Sequence, residues 1–224
     1  MRILDPKKAL VVLSGGQDST TCLFWALREF SLVKSITFDY GQRHRIELES
    51  AAAVAKEAGI ANRCIQLSGL SELGGSALIG EEEVSGEILG DGLPNSFVPG
   101  RNLIFLSYAA AYAYQEDMKH IVLGACETDF SGYPDCRADT LGRAIEALSL
   151  GMEADFEIHT PLMSLTKAES VLLAKEVGAF KALQFTHTCY NGVRPPCGHC
   201  PACLLRAKGF QEAGEEDPLL STKN

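Results

Sequence analysis

Ala9-Leu10-Val11-Val12-Leu13-Ser14-Gly15-Gly16-Gln17-Asp18-Ser19 is the stretch on which the fold turns. The five apolar residues Ala9–Leu13 read as a strand buried on both faces, as in a parallel sheet. Beyond the glycines, Cys22, Leu23, Ala26, Leu27 and Phe30 share one helical face. A strand that passes through Ser-Gly-Gly straight into a helix makes an anion cradle. Glycines turn the backbone tightly, and the helix N-terminus offers free N–H donors and a positive dipole. Ser14 and Ser19 add hydroxyl donors, and Asp18 makes sense beside phosphate if Mg²⁺ lies between them.

Outward from this loop the chain alternates strands and helices, which predicts an α/β fold with an open, mostly parallel sheet flanked by helices. Val33–Asp39 and the weaker Arg63–Leu67 are predicted strands. Between them Ala51, Val54, Ala55 and Ala58 form a helical stripe stopped by Gly59. Leu103–Asp117 is predicted helical with Asn102 as N-cap, Ile121–Ala125 a strand and Arg137–Leu150 a helix. Thr166-Lys167-Ala168-Glu169 is a capping box opening a helix that ends at Gly178. Residues 69–100 break the alternation with eight glycines and the acidic run Glu81-Glu82-Glu83, a long loop that would suit a lid.

The chain has eight cysteines, and half of them fall in Cys189-x7-Cys197-x2-Cys200-x2-Cys203. Four thiolates at this spacing can close round one tetrahedral ion, so Cys189, Cys197, Cys200 and Cys203 are predicted to hold one structural zinc, with an iron–sulfur cluster as the lesser alternative. His187 and His199 are read as surface or outer neighbours of that site, and Cys22 and Cys64 as small buried hydrophobes. The expected organisation is a nucleotide domain over 1–185, a zinc-binding segment over 186–210 and a flexible acidic tail over 211–224.

The net charge of −9 gives no general basic field for a nucleic-acid backbone. No apolar run approaches a membrane span or a secretory leader, so a soluble cytoplasmic protein is expected. Arg101, beside a helix start, suits a phosphate or carboxylate clamp, and Lys167 is placed to reach a phosphate. Gly124–Arg137 follows a predicted strand and mixes three carboxylates with aromatics and turn-forming glycine and proline, which suits ligand contact at the carboxyl end of a parallel sheet.

There is no Walker loop and no GxGxxG in the chain. Ser-Gly-Gly-Gln-Asp-Ser instead resembles the SGGxDS motif of the PP-loop, or N-type ATP pyrophosphatase, superfamily. Together with Tyr40-Gly41-Gln42-Arg43-His44, Phe97 to Asn102, Glu127 to Arg137 and the four cysteines, it resembles the QueC family of queuosine precursor biosynthesis, from about Ala9 to Phe210. The resemblance implies an ATP-dependent carbon–nitrogen ligase that converts 7-carboxy-7-deazaguanine and ammonia into 7-cyano-7-deazaguanine, working as a homodimer. It implies an ATP site lined by Val12, Leu13, Ser14, Gly15, Gly16, Gln17, Asp18, Ser19, Thr20, Thr21 and Cys22, with adenine near Phe38-Asp39-Tyr40. Asp18 would hold Mg²⁺, Arg101 and Lys167 would offset transition-state charge, and Glu127, Asp129, Tyr133 and Asp135 are the candidate substrate contacts. Which carboxylate reads the deazaguanine edge stays open. The competing readings are another PP-loop adenylating enzyme, such as one of tRNA thiolation, and a non-catalytic nucleotide-binding adaptor.

Overall fold

The computed structural model describes residues 1–42, 45–74, 76–79, 92–127 and 133–221. Asp129, the run Glu81–Glu83 and Arg43-His44 lie outside the described residues. Five strands, β1 (Asp5–Val12), β2 (Leu32–Asp39), β3 (Asn62–Gln66), β4 (Met118–Val122) and β5 (Glu157–His159), form one sheet in the order β3-β2-β1-β4-β5. All four pairings are parallel. The chain steps outward from β1 to β3, then crosses back to β4 on the other side, so the switch point lies between β1 and β4. Ligand crevices of open α/β sheets form there, beyond the carboxyl ends of the strands.

Strand periodicity assigns the two faces. Leu10, Ile36, Phe38 and Ile121 pack under α4 (Arg101–Gln115) and α5 (Ala138–Met152). Ala9, Val11, Leu13, Val33 and Val122 pack under α1 (Gln17–Glu29) and α2 (Ile46–Glu57). Burial on both faces is why β1 reads as an unbroken apolar run rather than an alternating one. The α4 stripe, Leu106, Ala109, Ala110 and Ala113, is fully buried. A third cluster joins α6 (Lys167–Glu176) to Phe210 of α7 (Pro201–Ala213) against Phe24 and Trp25 of α1.

Several local expectations change. Asn102 is not the N-cap of α4. Gly100 caps it in the left-handed conformation, and Asn102 sits in the first turn. Strand β5, the short helix Ser68–Glu72, the 3₁₀ turn Phe180–Phe185 and α7 went unpredicted because each is short or carries a weak apolar period. Cys64 is exposed rather than buried, because β3 is an edge strand. From Gln211, where a flexible tail was expected, α7 continues to Ala213 and a further turn spans Pro218–Ser221. Asp217 is anchored there by the buried Arg206, at 2.7 and 2.8 Å. The described ends of 69–100 are packed rather than loose: the Ala77 N–H donates to the Asn95 carbonyl at 2.9 Å, and Ala77 and Val98 are buried. No helix among the described residues is long and apolar enough to cross a membrane.

Candidate active site

The turn after β1 is built as a cup. Gly15 has φ +86°, and a Cβ there would overlap the Glu47 carbonyl oxygen and lie 2.6 Å from the Ala51 nitrogen, so only glycine lets the loop press on α2. The Ser14 and Ser19 hydroxyls lie 3.0 Å apart, the Ser14 amide donates to Ser19 Oγ, and the Gly16 amide donates to Ser14 Oγ. Ser19 and Thr20 hydroxyls both donate to the Gly16 carbonyl, at 3.2 and 2.8 Å. Gly16, the N-cap of α1, makes no side-chain cap, which leaves the helix amides aimed into the cup. Gln17 is buried with neither amide atom bonded. Thr21 and Cys22 lie deeper, bonded to the Gln17 and Leu123 carbonyls, while Val12 and Leu13 belong to the strand end.

Three helices present their first residues here: Gln17 of α1, Arg101 of α4 and Lys167 of α6. The Lys167 ammonium, almost wholly buried, donates to both Asp18 oxygens at 3.0 and 2.8 Å. The complete Thr166–Glu169 capping box fixes the start of α6 and so the position of Lys167. Gly209 of α7 makes room for it, since a Cβ there would fall 2.5 Å from Lys167 Cγ.

The predicted substrate carboxylates turn out to serve as helix caps as well. Asp135 is buried; its Oδ2 accepts the Asn102 amide of α4 at 2.9 Å, while Oδ1 has no hydrogen-bond partner among the described residues. Glu127 Oε1 accepts the Ala138 amide at the start of α5, at 2.6 Å. Tyr133, also buried, shares a 2.7 Å hydrogen bond with Ser96. Arg101 donates to the Tyr40 hydroxyl at 3.5 Å, and its Nε is buried without a partner. Phe38 and Tyr40, expected near adenine, are themselves buried, with Phe38 stacked 4.4 Å from Phe105.

Glu47 and Tyr190 were not legible beforehand, and the role of Gly124, inside the stretch read as a ligand contact, was not specified. Gly124, after β4, carries no side chain because a Cβ would lie 2.9 Å from the Ser19 nitrogen; its backbone closes the cup from the β4 side. Glu47, in the first turn of α2, has its carboxyl pushed up to about 7 by burial, against the pull of Arg101. Tyr190 has its phenol raised by burial and by Tyr133 beside it. The turn after the strand gave the signal for Gly124; Glu47 and Tyr190 come from distant segments, where no local pattern marks them.

The four cysteines converge, with their sulfurs all within 4.8 Å of one another. Cys197 and Cys203 sulfurs are 3.9 Å apart, close to the edge of about 3.8 Å that four Zn–S bonds of about 2.3 Å would give. The Cys197 and Cys200 amides point at the Cys189 and Cys197 sulfurs, as they would toward thiolates. The set fits a metal ion with no open position. His187, expected at the surface or as an outer neighbour, is buried, with its Nε2 2.9 Å from the Cys189 carbonyl. Its amide donates to the Gly15 carbonyl at 2.9 Å, which ties the cysteine segment directly to the cup.

A family model described as queuosine biosynthesis protein QueC matches residues 8–214. A protein of Laribacter hongkongensis named 7-cyano-7-deazaguanine synthase is 57% identical over 97% of this chain and 96% of its own length. One of the same name from Bacillus subtilis is 50% identical over 93% and 96%. Among solved structures, NMN synthetase from Francisella tularensis superposes with a TM-score of 0.53 at 13% identity, covering 94% of this chain and 79% of that one. A 4-thiouridine synthetase in complex with RNA and ATP superposes at 0.52 and 18% identity, covering 93% and 50%. At that identity these two share the fold alone. A match over residues 8–214, across the cup after β1 and the cysteine cluster alike, places this chain in the QueC family of queuosine biosynthesis proteins.

Proposed function

We propose that this chain is an ATP-dependent ligase that turns 7-carboxy-7-deazaguanine and ammonia into 7-cyano-7-deazaguanine. The observation that carries the reading is the 57% identity to a synthase of that name along nearly the whole chain. A carboxylate resists ammonia because oxide is a poor leaving group. Transfer of AMP to one carboxylate oxygen expels pyrophosphate and provides a better one, and ammonia then displaces AMP to give the primary amide. A second adenylation, at the amide oxygen, followed by proton loss from nitrogen, expels AMP again and leaves the nitrile.

The residues divide as follows. Ser14, Gly15, Gly16, Ser19 and Thr20, with Gln17 and the α1 amides, receive the β and γ phosphates; Val12, Leu13, Thr21 and Cys22 back the cup. Asp18 offers the hard oxygen ligand that Mg²⁺ prefers, and bound there the ion would neutralise charge on the departing pyrophosphate. Lys167 holds Asp18 in place and brings a positive charge to the cup, and Arg101 does so from the α4 side. The unpartnered Oδ1 of Asp135 suits the adjacent N–H donors of the deazaguanine edge, with Glu127, Tyr133 and Asp129 as further contacts. Cys189, Cys197, Cys200 and Cys203 would hold one structural zinc, supporting the cup through His187. A nucleotide domain over 1–185 followed by the cysteine segment, a lid over 69–100, a homodimer and a cytoplasmic site complete the proposal.

No lysine follows Gly15-Gly16 as it would in a Walker loop, so a cup that keeps the β and γ phosphates together favours cleavage at the α-phosphorus. Turnover with α- and γ-labelled ATP should release AMP and pyrophosphate only when the deazaguanine acid and ammonia are both present. ADP as the main nucleotide product would overturn the mechanism, and acid-independent turnover would overturn the substrate.

A further inference from the structure

His120 on β4 and Glu157 and His159 on β5 converge beside the start of β1, where His120 pairs with Ala9 and faces the Pro6 carbonyl, against the last residues of α1. Their ligand atoms all lie within 4.8 Å of one another. Both imidazoles pack on Phe30, which ends α1; that helix of 13 residues spans about 20 Å from the cup to this point. The cluster is therefore separate from the site described above.

The hydrogen-bond pattern fixes its protons. His120 Nε2 faces the Pro6 carbonyl at 3.1 Å, and a carbonyl only accepts, so Nε2 carries the hydrogen. In the neutral ring Nδ1 is then bare. It faces His159 Nε2 at 2.8 Å and Glu157 Oε2 at 3.4 Å. One hydrogen, on His159 Nε2, serves all three inward-facing atoms, and the lone pairs of the two acceptors, Nδ1 and Oε2, oppose each other. Lys119 does not relieve this, because it bonds the other oxygen, Oε1, at 2.8 Å.

We propose that His120 Nδ1, His159 Nε2 and Glu157 Oε2 form a second metal site, taking a borderline divalent transition cation such as Zn²⁺ or Ni²⁺, with the remaining coordination open to solvent. Two bonds of about 2.05 Å at a tetrahedral centre place their donor atoms about 3.3 Å apart. The 3.4 Å separation already matches, and the 2.8 Å one needs only a small parting of the rings. The His120 N–H to the Pro6 carbonyl is the outer hydrogen bond that typically orients a metal-bound histidine. Two imidazoles and one carboxylate select this class over Mg²⁺, which demands oxygen. On binding, three coordinate bonds form and the His120–His159 hydrogen bond breaks. The His159 proton moves from Nε2 to Nδ1 by exchange with water, with no net release.

The chain carries its own reporter. Trp25 is the single tryptophan, and its ring centroid lies 5.6 Å from that of His159. The full chain, with its four-cysteine site already loaded, is titrated with Ni²⁺, a paramagnetic quencher, while Trp25 emission is followed. Saturable quenching is expected, reversed by Zn²⁺, with one extra nickel per chain after dialysis. His159→Gln and Glu157→Gln should each weaken the apparent affinity tenfold or more. Glu157 is half-exposed, so its variant separates ligand loss from misfolding. Absence of saturable quenching, or quenching unchanged in both variants, would show a hydrogen-bonded histidine pair only and overturn the proposal.

Discussion

At Asp135 one carboxylate oxygen accepts the Asn102 amide and the other is buried without a partner among the described residues. Unpartnered buried acceptors are uncommon, since each forgoes its bond to water. Asparagine caps a helix about as well as aspartate. Asp135→Asn should therefore leave the melting temperature and the KM for ATP nearly unchanged. It should raise the KM for the deazaguanine acid at least tenfold, because the replacement amide can no longer accept two adjacent donors. A collapse of ATP affinity with acid affinity intact would remove Asp135 from the substrate site. Glu47 makes a pH-dependent contribution of the opposite sign from an ordinary salt-bridged carboxylate. Its value of about 7 stands above the usual 4.5, so the unfolded chain gives up this proton first. The stability it supplies is full below about pH 4.5 and is lost as pH rises through about 7, on the order of 3 kcal/mol in total. Glu47→Gln should flatten the pH dependence of chemical denaturation between pH 5 and pH 8. Parallel curves for the two proteins would show that Glu47 is not held protonated.

Helix α6 shows how an element start becomes part of a site. Thr166 Oγ1 accepts the Glu169 amide at 3.3 Å, and a Glu169 oxygen accepts the Thr166 amide at 2.7 Å. The next residue is Lys167, whose ammonium holds both oxygens of Asp18. Thr166→Ala should cost about 1 kcal/mol of stability through the lost cap. If the cap also sets the lysine, kcat should fall more than that modest destabilisation explains, while the KM for the acid moves little. Unchanged kcat alongside the lower melting temperature would mean that Lys167 is positioned by Gly209 and α7 rather than by its own helix start. Helices α4 and α5 are begun differently. Their own caps, Gly100 and Arg137, provide no side-chain bond, and Asp135 and Glu127 reach across from the loop after β4. That loop therefore assembles the site and holds two helix ends at once.

Across the molecule, the cysteine segment is coupled to the phosphate cup rather than appended to it. The His187 amide bonds the Gly15 carbonyl, and α7, which begins at the cysteine cluster, carries the glycine that clears Lys167. Structural zinc contributes folding free energy directly. Cys200→Ser should lower metal content and melting temperature together, and in the folded fraction it should also weaken ATP binding severalfold. ATP affinity at the wild-type level in a metal-depleted, folded variant would show that the two regions are independent. Elemental analysis beside calorimetric ATP titration decides between these outcomes. Midway along α7, Arg206 is buried and reaches Asp217, Thr186 and Thr188 together. This is how a stretch acidic enough to read as a tail comes to close against the body.

Local periodicity and spacing were enough to determine the parallel α/β class, the buried run of β1, the capping box at Thr166 and the four-cysteine set. The class comes from the alternation of such signals along the chain, and each of the others lies within about fifteen consecutive residues, where backbone geometry alone sets which side chains meet. Four things were decided by packing between segments far apart in sequence. The Lys167–Asp18 pair joins residues 149 apart, and Asp135 caps α4 across 33. The left-handed Gly100 displaced Asn102 as the cap, and Cys64 became exposed because its strand lies at an edge. A residue's type states what it is able to bond. Which partner it meets depends on the order of strands in the sheet, and here that order, β3-β2-β1-β4-β5, brings the loops after β1 and β4 together at the switch point.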